Sequence, residues 1–359
     1  MIFKKSVIGK SIAAANQWDE VQFHRNAANA QEQMFINSGQ MMVDPAKRAL
    51  SANDGFIPRD LYQEFDNVTV EAMLADQGDV FLNDLLPLSR SVSLGTQVHN
   101  FRMASDSGLV QTSMSGQIGV KMDQVEYTYD GFIVPISDAG FSRNFREKET
   151  FTSSGFDALI DDQRETMRSV RADIADQFLN GHKDKNGQLI VVDGKSWAGM
   201  RTDTHVAQVD LGAGGVNFDF TDTTKTYAEI EAALKEVRDV LWITNNCELD
   251  ATYYVSRQIA SNFERASSES YNSEKILERL GSLQGIAGLK ASSKLTGNEF
   301  MAFPLDANKV RPLVGMGMNT VAMPRPVYNS NYEFVIWGAI GFEVRNDFSG
   351  KTCALFAQA

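Results

Sequence analysis

The residue groups most able to do chemistry are scattered, and each fails a positional test. Ser349-Gly350-Lys351-Thr352 copies the end of a phosphate-binding loop. Such a cradle also needs a glycine five residues before Gly350 and a helix after Thr352. Position 345 is Arg and the following Cys353-Ala-Leu-Phe356 is strand-like, so the segment reads as a polar hairpin turn. Gly315-Met-Gly317-Met-Asn-Thr320 begins like a dinucleotide fingerprint but lacks the third glycine, and reads as a flexible loop. Asp184-Lys-Asn-Gly187 opens like a calcium loop, yet no further spaced acids and no closing glutamate follow, so a turn is expected. His24, His99, His182 and His205 lie in four separate segments, which suits surface or packing roles better than metal ligation. No G-x-S-x-G elbow anchors a nucleophile. Asp161 and Asp162, adjacent on a helix, point to different faces and form no acid–base pair. Tyr127, Tyr129 and Phe132 could stack bases, but they lack surrounding Lys and Arg; packing against a neighbour is expected instead. No catalytic residue, no cofactor and no metal is assigned.

Bulk properties point the same way. The 359 residues are 43% hydrophobic, enough to bury a core in one large domain or a few intertwined ones. Lys and Arg number 34 against 46 Asp and Glu, a net charge of −12. A sequence-specific DNA reader needs a basic face, which this balance does not offer. An acidic surface suits a protein that must not grip nucleic acid tightly. Cys247 and Cys353 form no CxxC or Cys/His cluster. Two free thiols in a reducing compartment are expected, not a disulfide framework. Lys4, Lys5 and Lys10 hint at a signal peptide, but Ser11-Ile-Ala-Ala-Ala-Asn-Gln17 is too short and polar for its apolar core. No apolar stretch reaches the roughly 20 residues that span a bilayer.

The elements that would position any site are more informative. Residues 1–50 are rich in Ala, Asn and Gln, with scattered Trp18, Phe23, Met34 and Phe35. They carry no continuous apolar stripe and cannot fold alone, so neighbouring subunits are expected to hold them. Mixed helix follows over 59–86. From Leu94 the period changes to two. Val98, His99 and Phe101 lead to a polar tip with Leu109, Val110 and Met114 as its sizeable apolar groups. The return strand alternates Ile118, Val120, Met122, then shifts to Val125, Tyr127 and Tyr129, the mark of a bulge. A two-stranded ribbon is marginal alone in water and needs a surface to lie on.

Residues 154–180 read as a long helix capped by Ser154 and ended by Gly181. Phe156, Leu159, Ile160, Met167, Val170, Ile174 and Phe178 form its stripe. Thr226-Tyr-Ala-Glu229 is a capping box. The helix it opens carries Ile230, Leu234, Val237 and Leu241 on one face. Thr252–Val255 reads as a core strand, 257–265 and 273–281 as short helices, and 299–310, 332–345 and 351–357 as strands.

The last third carries a resemblance. Leu280-Gly-Ser-Leu-Gln-Gly-Ile286 precedes Phe303-Pro-Leu-Asp-Ala-Asn-Lys-Val310, the Gly315–Gly317 segment, and the apolar run Phe334-Val-Ile-Trp337-Gly-Ala-Ile-Gly-Phe342-Glu-Val344. This order resembles the C-terminal half of tailed-phage major capsid proteins with the Hong Kong 97 fold. The resemblance implies an α+β fold with an N-terminal arm (1–50), a first P-domain part (51–92) and an E-loop hairpin (93–131). A P-domain with its spine helix 154–180 (132–225), an A-domain (226–318) and closing strands returning to the P-domain (319–359) would follow.

It implies a non-enzymatic shell subunit. Leu109, Val110, Met114, Tyr127 and Tyr129 of the E-loop, and Trp18, Phe23, Met34 and Phe35 of the arm, would touch neighbouring subunits. Partners would be further copies in hexamers and pentamers, a portal protein, decoration proteins and non-specifically held double-stranded DNA. Since the chain begins at Met1, a scaffolding protein is expected to be separate. Some members join neighbours through a lysine–asparagine bond; Lys121 lies in the E-loop, but no signal marks that chemistry. The location implied is the virion, with assembly in the host bacterial cytoplasm. Two other readings stay open: an encapsulin shell around a cargo enzyme, told apart by its contents, and an enzyme whose site is unrecognised, told apart by a discrete small oligomer with a deep polar pocket.

Overall fold

Apolar residues three and four apart place one face of a long helix in a core, and that helix organises the molecule. The computed structural model describes residues 80–359 apart from 109, 116–118, 120–121, 154–157, 268–273, 326 and 328–329, together with the helical positions Phe23, Asn26, Ala27 and Ala30. The chain forms two units, Met1–Glu71 and Ala72–Ala359. Every element labelled below belongs to the second. In the first, Phe23 is exposed, while Trp18, Met34 and Phe35 lie outside the described residues.

Helix α1 (Val80–Leu85) precedes the short strand β1 (Arg90–Ser91), the ribbon strands β2 (Val98–Ala104) and β3 (Tyr127–Ile133), and β4 (Ile136–Arg143). Helix α2 (Phe145–Ser153) leads to the spine, α3 (Ala158–Asn180). Its 23 residues extend about 35 Å. It buries Val170, Ile174, Ala175, Phe178 and Leu179. Ile160 is exposed, so the expected stripe is buried only from about Met167 onward. The Ser154 cap and Phe156 lie outside the described residues. At the other end Gly181 takes φ +66°, and its N–H donates to Gln177 O (2.9 Å). A Cβ there would strike the Trp197 carbonyl, so glycine is required on two counts.

Hairpin β5 (Val191–Val192) and β6 (Lys195–Ser196) and strand β7 (Ala207–Asp210) follow. Helix α4 (Tyr227–Asp239) opens with the expected capping box: Glu229 N–H donates to Thr226 Oγ1, and Thr226 N–H donates to Glu229 Oε2. Ile230, Leu234 and Val237 are buried on its inner face, and Leu241 is buried in the π-helical turn Val240–Thr244 that ends it. Then come β8 (Ala251–Ser256), α5 (Arg257–Phe263), α6 (Ile276–Gly281), β9 (Ile286–Ser292), β10 (Phe300–Phe303), β11 (Val310–Ala322), β12 (Tyr332–Val344) and β13 (Leu355–Gln358).

Two sheets share one core. A five-stranded sheet runs β7-β13-β10-β8-β9, and a four-stranded sheet runs β1-β11-β12-β4. The five-stranded sheet is buried on both faces, and its residues alternate between two apolar clusters. Tyr253, Val255, Phe300, Ala302 and Leu355 pack under α4, α5 and α6. Tyr254, Met301, Phe303 and Phe356 face the other way, toward Phe178 of the spine and Ile336, Ile340 and Val344 of β12. The Phe178 ring lies 5.2 Å from Phe81 and 4.7 Å from Phe342, which ties α1, α3 and β12 together.

Four expectations are corrected. Strand β13 does not return to the four-stranded sheet; it pairs with β10 and, in parallel, with β7. Strand β11 pairs with β12 throughout and crosses the expected division at 318. Alternation specifies a strand but not its partner, and the chain passes between the sheets more than once. The Gly315–Thr320 segment is part of β11, with two register shifts, and not a loop. A Cβ on Gly315 would come within 3.2 Å of Ala339 Cβ, and one on Gly338 within 3.2 Å of Met318 Cγ, so these glycines let the strands approach. Finally, Cys247 and Cys353 are not free thiols. They form a disulfide between the end of the π-turn and the approach to β13. Spacing of 106 residues hides a Cα–Cα distance of 5.5 Å that only the fold creates.

Candidate assembly interface

The ribbon is built from seven rungs, from Val98↔Ile133 to Ala104↔Tyr127, and among the described residues neither of its strands pairs with a third. Directly opposed residues share a face. Ile133 on the first rung, Phe101 on the fourth and Met103 on the sixth are buried, with Phe101 stacked 6.2 Å from Phe132. Arg102, Tyr127 and Tyr129 are exposed, and the Arg102 guanidinium sits 4.7 Å over the Tyr127 ring.

Beyond the last rung the described residues of the expected return strand form no ladder. Ser105 N–H donates to Glu126 O and Glu126 N–H to Ser105 Oγ, both at 2.8 Å. Gly108 N–H donates to Asp123 Oδ2 (3.2 Å). Met122 and Val125 carry no ladder, while Ile118 and Val120 lie outside the described residues. Val110 is 91% exposed, Met114 108% and Met122 91%. Of the expected contact residues, Val110, Met114, Tyr127 and Tyr129 are therefore exposed on this one element, Tyr127 beneath the Arg102 guanidinium, and Leu109 lies outside the described residues.

The root holds an ion cluster. Glu343 of β12 is fully buried. It accepts from Arg311 Nε (2.9 Å), its rung partner on β11, and from Arg345 Nε (2.7 Å). His99 Nδ1 lies 3.7 Å from the same carboxylate. Burial lowers the His99 pKa; Glu343 opposes that shift, while Arg90, Arg311 and Arg345 reinforce it. An open groove of about 400 Å³ lies beside the cluster, lined by Arg90, His99, Asn100, Arg102, Tyr129 and Arg345. Among the described residues neither Arg90 nor Arg102 has an acidic partner.

A second cluster moors the ribbon. Asp130 of β3 accepts from Lys195 Nζ (2.7 Å) and lies 3.2 Å from His205 Nε2. Asp203, buried nearby, accepts from the His205 N–H (2.9 Å). Burial pushes its carboxyl above the usual range. His182 packs on Trp197 at 4.8 Å. Thus His99, His182 and His205 are packing and hydrogen-bonding residues, and His24 lies outside the described residues. Among the described residues no group of three or more His, Cys, Asp and Glu is arranged to hold a metal. The phosphate-loop mimic is a turn: Gly350 N–H donates to Asp347 O and Lys351 N–H to Asp347 Oδ1. The Asp184–Gly187 segment is also a turn, with Asp184 Oδ1 accepting from Asn186 and Gln188.

The sequence profile of DUF6260, a family of unknown function, matches residues 50–357. The chain belongs to the DUF6260 family. A search of curated proteins finds no match. Among solved structures, the chain is similar to the capsid of Myoviridae phage XM1 (TM-score 0.64, 11% identity, 85% of this chain and 99% of that one). It is similar to a chain of Mycobacterium phage Che8 (0.55, 11%, 84% and 97%) and to the capsid of a native GTA particle (0.55, 13%, 85% and 98%). At these identities the likeness is one of fold. This DUF6260 chain has the α+β fold of the Hong Kong 97 type.

The root cluster escaped sequence reading because its arginines come from four separate segments. One signal was available: Glu343 interrupts the apolar run Ile340-Gly-Phe-Glu-Val344, and a lone acid at a core position demands a cation.

Proposed function

We propose that the protein is the major capsid subunit of a tailed double-stranded DNA phage and assembles in many copies into a closed icosahedral shell. The observation that carries this reading is the ribbon. It projects with Val110, Met114, Met122, Tyr127 and Tyr129 exposed, on a fold whose solved relatives include phage and GTA-particle capsids. Ordering such a segment costs roughly 1–2 kcal/mol of backbone entropy per residue, which contacts with a neighbour would offset.

In this reading the ribbon is the E-loop and residues 1–50 are an arm, each lying on an adjacent copy. Trp18, Phe23, Met34 and Phe35 anchor the arm, and Leu109, Val110 and Met114 anchor the ribbon. The helical layer over the five-stranded sheet belongs to the A-domain around five- and six-fold axes. Many weak contacts then sum through closure. The subunit performs no catalytic step. Its further partners are a separate scaffolding protein, a portal and decoration proteins. The net charge of −12 suits DNA held by confinement, with assembly in the host cytoplasm. The test is co-expression with the scaffolding protein followed by sedimentation and electron microscopy. Shells of uniform diameter are expected, and a monomer that persists under every assembly condition overturns the reading.

A further inference from the structure

Charge is unevenly placed along the ribbon. Arg90, Arg102 and Arg345 line one groove, and the buried Glu343 beside it pairs with Arg345 and Arg311. Among the described residues no acidic residue lines that groove beside the three guanidinium groups, in a chain whose net charge is −12. Arg90 and Arg102 have no acidic partner among the described residues. Arg311 is buried behind them, with an Nη2 that finds no hydrogen-bond partner. Beyond the last rung the sign reverses. Asp106, Asp123 and Glu126 are exposed and have no cationic partner among the described residues. The Asp123 carboxylate is held in place by the N–H groups of Gly108 (3.2 Å) and Gln124 (2.9 Å).

We infer that the groove between Arg90, Arg102 and Arg345 receives the acidic distal end of a second copy's ribbon. The inference rests on the capsid-subunit reading and names the partner surface for that ribbon. Guanidinium groups pair with carboxylates through parallel hydrogen bonds, which fixes direction as well as proximity. Asn100 and Tyr129 add polar groups to the same wall. A basic groove and an acidic distal segment on the same chain pair with their opposites on another copy, either reciprocally about a two-fold axis or head to tail, the contact type that closes into rings.

The experiment uses three variants of the full chain. One reverses the root (Arg90→Glu with Arg102→Glu). One reverses the distal end (Asp106→Lys with Glu126→Lys). The third carries all four changes. All four side chains are exposed, and circular dichroism checks that each variant folds. Each two-site reversal should lower the assembled fraction about tenfold, since like charges then face each other. The four-site variant should recover most of that loss because the attraction is restored with its poles exchanged.

Wild-type protein that never forms shells removes the capsid reading and this inference with it. Wild-type shells together with normal shells from the root-reversed variant overturn this inference alone. So does a four-site variant no better than either two-site one. Root reversal that spares assembly but releases duplex DNA from filled shells marks the groove as a phosphate site and also overturns it.

Discussion

Cys247 is disulfide-bonded to Cys353, which ties the turn after α4 to the strand that completes the five-stranded sheet. The bond closes a loop of 106 residues, and both cysteines are buried. A cross-link of that span restricts the unfolded chain, and losing it costs about 3 kcal/mol. Cys353→Ser should therefore unfold at lower urea than wild type. Dithiothreitol should lower the wild-type midpoint to the same extent while leaving the variant unmoved. Identical midpoints with and without reductant would show that the bond contributes nothing.

The Glu343 carboxylate stabilises the junction of β11 and β12 because two guanidinium groups donate to it in a site without solvent. Glu343→Gln keeps the shape but leaves Arg311 buried without its anion, a loss of about 3 kcal/mol or more. Replacing both partners together, Glu343→Leu with Arg311→Leu, should cost less than the single change, since the buried Arg311 charge goes with its anion and Arg345, a quarter exposed, reaches solvent. Equilibrium denaturation measures both. A double variant as unstable as the sum of its singles would show that the pair acts independently.

Local structure was legible where one element carried its own signal. The spine helix, the capping box at Thr226 and Glu229, and the core strand over Thr252–Val255 each follow from spacing or cap chemistry alone. Features made by long-range closure were not legible. Neither alternation nor composition says that β13 lies beside β7, that Cys247 meets Cys353, or that Arg90, Arg102 and Arg345 line one groove. The exposed apolar residues of the ribbon were readable because they sit where no core can form. Their charged counterparts were not, because the arginines belong to separate segments.

Asp203 gives the mooring cluster a pH signature. Burial pushes its carboxyl upward, and the Asp130 charge adds to that, against the pull of the His205 N–H. With the folded pKa above the unfolded one, the folded state takes up the proton first as pH falls. Wild-type stability therefore gains relative to an uncharged variant between the raised folded value and the unfolded value near about 4. Asp203→Asn keeps an oxygen for the His205 backbone N–H and should be more stable than wild type at pH 7. That advantage should shrink as pH falls toward about 4. Parallel stability profiles for the two proteins across this range would sink the assignment.

The ribbon supplies the test that separates folding from assembly. Its last rung joins Ala104 to Tyr127, and past it Val110, Met114 and Met122 are almost fully exposed. The buried clusters that hold the two sheets draw none of the described residues of 105–126. Replacing 105–126 with Asn-Gly would close the ribbon with a two-residue turn that suits a right-handed twist. Secondary structure should be unchanged outside the deleted segment, and the urea midpoint should shift little, because no core contact is removed. Shell formation should fail, since the side chains meant for a neighbour are gone. Circular dichroism reports the first outcome and sedimentation the second. Normal shells from the shortened protein would show that the distal ribbon is dispensable and that assembly rests on other surfaces.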